Sequence, residues 1–161
     1  MNFDCKEQLA GIASIDFYLL SETGSWPEIV TDTNVGNITI YTTNISTPEV
    51  DGSIEPESIR INDQPKLGAS GDIWPIDISF TYLSRGLNME LLLEKYANQS
   101  GIARACFNDG SKKQFGTNLE PLYLTWENNY GTKIEDSHGV NIRIKGELSR
   151  RPVYIVKNTQ T

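Results

Sequence analysis

Apolar and polar residues alternate most regularly along "GVNIRIKGELSRRPVYIV", residues 139 to 156. Val140, Ile142, Ile144 and Leu148 fall on one side of a period of two, and Asn141, Arg143, Lys145 and Glu147 on the other. That spacing predicts a strand with one apolar and one wet face. The same period runs through "ASIDFYLL" (13–20), with Ile15, Phe17 and Leu19 on one face. It returns in "DIWPIDISFTYL" (72–83), with Ile76, Ile78, Phe80 and Tyr82 aligned, and in "EPLYLTWE" (120–127), with Leu122, Leu124 and Trp126 aligned. "NITIYTTNI" (37–45) is rich in β-branched residues and "SIRIND" (58–63) is a shorter candidate, so both read as strands. "IARACF" (102–107), an "NDG" turn and the return "KKQFG" read as a further hairpin.

The period changes once. In "NMELLLEKYANQSG", Met89, Leu92, Leu93 and Tyr96 recur at i, i+3, i+4 and i+7, which predicts a helix over about 88–100. Asn88 suits its N-cap, Glu90 its first turn and Gly101 the position beyond its end. Strands without a βαβ rhythm, about seven to nine of them, give a mainly β fold. The expected architecture is an antiparallel sandwich or barrel with one packed helix, spanning 1–161 as a single domain. Residues 64–72, "QPKLGASGD", read as a flexible loop, and residues 37–63 as a long polar hairpin arm whose tip lies near Asp51-Gly52.

Charge bears on the partners. Twenty-one acidic residues against fourteen basic ones leave a net charge of −7. Phosphate neutralisation dominates nucleic-acid affinity, so this sign argues against a sequence-specific nucleic-acid binder despite Arg143, Lys145, Arg150 and Arg151. Those four residues read instead as a contact surface, since Glu147 interrupts them on the same strand face. No apolar run approaches the length of a membrane span, and the first residues carry charges where a signal peptide needs an apolar core. Cys5 and Cys106 have neither metal-ligand nor redox spacing and read as reduced thiols, although pairing is possible chemically.

Catalytic chemistry has few candidates. The one histidine, His138, sits in "IEDSHGV" with Glu135 and Asp136, which could serve as a metal or acid–base group but also form an ordinary polar turn. "GASGD" (68–72) lacks the lysine and spacing of a phosphate loop, and no nucleophile elbow occurs. Trp26, ahead of Pro27, is the best candidate for a stacking surface. The reading is therefore non-enzymatic, with no cofactor and no metal. A monomeric binding module, for example for carbohydrate, is the alternative, and a small enzyme using His138 stands third.

The order strands–arm–strand–helix–strands over residues 10 to 156 resembles the subunits of tailed-phage tail tubes, and related ring proteins of the neck and of secretion-system tubes. It is carried by "NITIYTTNISTPEVDGSIEPESIRIND", "DIWPIDISFTYLSRGLNMELLLEKYANQSG" and "GVNIRIKGELSRRPVYI". The resemblance implies a virion protein made in the bacterial cytoplasm. It also implies hexameric rings that stack on one another, contact other virion proteins and enclose an acidic lumen. On that plan Asp51, Gly52, Glu55 and Glu57 of the arm are expected at subunit contacts, together with Arg143, Lys145, Arg150 and Arg151.

Overall fold

The computed structural model describes residues 11–21, 30–31, 38–39, 54–55, 58–83, 86–133 and 139–154. Its centre is the alternating strand named first above. Strand β10, Gly139–Leu148, buries Val140, Ile142, Ile144 and Leu148 and exposes Arg143, Lys145 and Glu147. It is paired on both edges. On one side lies β6, Gly71–Tyr82, which sets Phe80 opposite Ile142 and Ile78 opposite Ile144. On the other lies β9, Leu122–Asn129, which sets Leu124 opposite Ile144 and Trp126 opposite Ile142. Three adjacent strands thus turn one apolar stripe inward.

Strand β7, Ser100–Phe107, extends the sheet. Its first residues pair with β9 and the rest with β8, Lys112–Phe115, across the expected NDG turn. Its other edge carries β1, Ile12–Leu19, with Phe17 opposite Ala103 and Ile15 opposite Ala105. The small alanines leave room for these larger partners. Strand β11, Val153–Tyr154, closes this end by pairing with β8. The far end is β4, Arg60–Asn62, against β6. The path β11-β8-β7-β9-β10-β6-β4 is a curled, antiparallel half-barrel. The curl brings the two ends of the path within reach of one side-chain pair. Lys113 of β8 donates to Asp63, the residue after β4, at 2.7 Å.

Helix α1, Leu87–Tyr96, packs Met89, Leu93 and Tyr96 onto this core, with the Tyr96 ring edge-on to Phe17. It ends four residues earlier than its stripe predicts. The Ala97 N–H still closes on Leu93 O at 2.8 Å, but Ala97 itself is extended and bridges to Leu124. Sheet pairing thus takes over from the helix. Gly101, expected just past the helix end, lies inside β7 and is buried against Phe17 and Tyr18. Asn88 is not the N-cap. Gly86 holds that position with φ 124°, and no side chain caps the helix.

Two expectations are corrected by strand pairing, one over long range and one within a tight turn. Among the described residues, the strands read as the two sides of one arm do not pair with each other. β4 pairs with β6, Ile61 opposite Ile78, whereas β3, Ile38–Thr39, pairs with β2, Val30–Thr31. Ile59 and Ile61 are half-buried against the core, a gain that a solvated two-stranded ribbon cannot offer. The predicted tip, Asp51-Gly52, lies outside the described residues. The segment read as a loop at 64–72 is instead a tight hairpin: β5, Lys66–Gly68, pairs with the start of β6, and Gly71 at φ 123° turns the chain.

Candidate functional site

The outer face of β6, β10 and β9 holds the first two basic candidates. Arg143 grips Asp77 across the strands, Nε donating to Oδ1 at 2.9 Å and Nη2 to Oδ2 at 2.6 Å. These bonds hold the Asp77 carboxyl below the usual carboxylate range, and Lys145, directly opposite Asp77 in the register, adds to the effect. The partner expected for Arg143 on a neighbouring subunit is therefore found within its own chain. Further along, Thr81 Oγ1 donates to Asn141 Oδ1 at 3.0 Å. Thr81, Asn141 and Arg143, with Ser58, Thr125 and Glu127, line an open polar cleft of about 610 Å³.

Glu55 lies at one end of this face. Its N–H donates to Thr81 O, and its carbonyl accepts the Ser58 hydroxyl at 2.7 Å, which fixes the chain beside the end of β6. Thr81 faces Asn141 at the start of β10, while Arg150 and Arg151 follow the end of that strand. Within one chain, then, Glu55 and the arginine pair occupy opposite ends of β10. Asp51, Gly52, Glu57, His138, Cys5 and Trp26 lie outside the described residues. Cys106 is a half-buried free thiol.

Arg150 and Arg151 stand on the rim of a second hollow, about 500 Å³, between two turns. In one turn, Thr117 Oγ1 accepts the N–H groups of Leu119 and Glu120. In the other, the Ser149 N–H donates to the Glu120 carboxylate, at 3.0 and 3.1 Å from its two oxygens. Glu120 thus staples the turns at a fixed separation. Leu148, Pro152 and Val153 form the floor and Leu119 a wall, with its side chain 86% exposed. Beneath lies Gln114, only 4% exposed, donating to Gly116 O and accepting from Arg104 Nε. An apolar floor under two cations suits a ligand that is apolar and acidic at once.

Sequence reasoning named Arg150 and Arg151 but missed Leu119 and the groove, because the Glu120 staple joins residues 29 apart. It also missed the outer face of β1 and β7, where Asp16 opposes Arg104 and the guanidinium lies 5.5 Å from the Tyr18 ring centre. Burial pushes the Asp16 carboxyl up, with Lys112 and Arg104 pulling it partly back. The alternation in "IARACF" was the available signal.

Among the described residues no group of three or more His, Cys, Asp or Glu is placed to hold a metal ion. No helix among them is long and apolar enough to cross a membrane. Compared with protein-family models, with curated proteins and with solved structures, the chain finds no match in any of the three.

Proposed function

We propose that this chain is a non-enzymatic structural subunit that assembles with copies of itself into rings or a tube, as a tail-tube or neck component of a phage virion. One observation carries the self-assembly: a built groove with an apolar floor, the exposed Leu119 on its wall and Arg150 and Arg151 on its rim stands open to solvent. Leu67 is 89% exposed, and Leu119 and Leu87 are exposed too. A single exposed leucine is ordinary on a monomer, but apolar surface gathered in a groove is what a neighbouring subunit would cover. The virion setting is supported by the plan of curled sheet, one helix and acidic net charge. Light scattering on the purified chain, followed by negative-stain microscopy, is expected to show closed rings or short tubes. A monomer at every concentration would overturn the proposal.

The polar cleft over Thr81, Asn141 and Arg143 favours a second reading, a monomeric module binding a polyol such as a carbohydrate. Hydroxyl, amide and carboxylate groups on one sheet face suit sugar hydroxyls. Titration calorimetry with oligosaccharides, alongside the same light-scattering run, separates the two: a monomer that binds sugar supports the second reading.

A further inference from the structure

Two features of this molecule are complementary in chemistry and do not meet within one chain. The first is the β5–β6 hairpin. Its register places Leu67 directly opposite Asp72 and Lys66 opposite Ile73. Directly opposed residues share a face, so Leu67 and Asp72 project together from one side of the hairpin. Both are exposed, Leu67 almost wholly. One hairpin face therefore presents an apolar branched side chain with a carboxylate beside it. The second feature is the groove between residues 116–120 and 149–152, with Leu148, Pro152 and Val153 below and Arg150 and Arg151 on the rim.

We propose that the β5–β6 hairpin of one copy docks into this groove on a second copy, Leu67 settling on the apolar floor beside Leu119 and Asp72 pairing with Arg150 and Arg151. The inference rests on the reading that the chain self-assembles, and it names the contact.

Chemical complementarity and uncovered side chains identify the occupant. The hairpin leaves β6 at the end where Trp74 opposes Leu148, so hairpin and groove belong to the same end of the molecule. Even so, Leu67 and Leu119 remain 89% and 86% exposed, and neither covers the other in the single chain. The hairpin is fit to be inserted. Its two-residue turn is closed by Gly68 opposite Gly71, where a side chain on Gly68 would strike Ile73 Cδ1 at 2.8 Å. The groove is held open by the Glu120–Ser149 staple before any partner arrives. Because knob and groove are different surfaces, one-way docking builds a ring or filament, and reciprocal docking a two-fold pair.

The test uses the full chain and light scattering over a concentration series. Leu67→Ser, Asp72→Arg and the double change Arg150→Asp with Arg151→Asp should each weaken association at least tenfold, circular dichroism remaining that of the folded protein. Combining Asp72→Arg with Arg150→Asp and Arg151→Asp should restore association, because the charges are then exchanged across the contact. That recovery cannot come from a variant that merely misfolds. Wild-type association in the one-sided variants, or no recovery in the combined one, would overturn this contact while leaving self-assembly standing. A wild type that stays monomeric overturns both.

Discussion

Asp77 shows how one residue can settle what a charge pattern leaves open. Arg143 and Lys145 had the look of free cations on a wet strand face, and the carboxylate that answers them is 66 positions away in the chain. Its pKa is lowered by folding, so its stabilising effect is present at neutral pH. The effect fades as pH falls from the unfolded value, about 3.9, through the lower folded one. Arg143 is largely in solvent and Asp77 about a third exposed, so solvent screening keeps the contribution of the pair small. Asp77→Asn is accordingly expected to lower the urea midpoint slightly at pH 7, with the two proteins converging as pH falls through the lowered folded pKa of Asp77. A difference that persisted or grew in acid would contradict the pairing. Asp16 runs the other way: its raised pKa marks a carboxyl that folding disfavours in its charged form.

Among elements, legibility followed locality. The inward stripes of β6, β9 and β10 and the helical stripe of Met89, Leu93 and Tyr96 could be read because each element announces its own period. The partner of β4 could not, because "SIRIND" fits an arm or a sheet edge equally well until Ile61 finds Ile78. The β5–β6 hairpin was hidden by its own turn residues, since "KLGASGD" has one large apolar side chain and no alternation to count. The groove was hidden for a different reason, being made by two turns that only the fold brings together. Gly146 is the one break in the β10 stripe, and packing explains it: a Cβ there would meet Leu122 Cδ2 and lie 3.0 Å from the Pro121 carbonyl. Gly146→Val should therefore force β9 and β10 apart and cost about 1–3 kcal/mol despite better strand propensity. Chemical denaturation measures it, and an unchanged or raised midpoint would show that β9 has room to give.

Over the whole molecule, the curl depends on what joins its ends. Beyond the hydrogen-bonded path, Lys113 reaches from β8 to Asp63 through a largely shielded ion pair, its amine also lying 5.2 Å from the Tyr154 ring centre. Lys113→Ala should cost about 1.5–3 kcal/mol, as for a hydrogen bond between charged groups. It should also speed amide hydrogen exchange in β4 and β11 ahead of the central strands. Uniform acceleration across the sheet would mean that the pair supports global stability without tying these two edges.

The position of β10 has a further consequence, in time. Its partner β6 is complete by Tyr82, while β10 begins at Gly139, and their register joins Tyr82 to Val140 and Trp74 to Leu148. A ribosome making roughly 5–20 residues each second needs on the order of several seconds to bridge that gap. Throughout that interval β6 has an unsatisfied edge carrying Ile76, Ile78 and Phe80, and β9 waits for the same strand. The sheet cannot be finished from its N-terminal side. The nascent chain therefore carries an open, apolar-faced strand edge until β10 arrives to cover it.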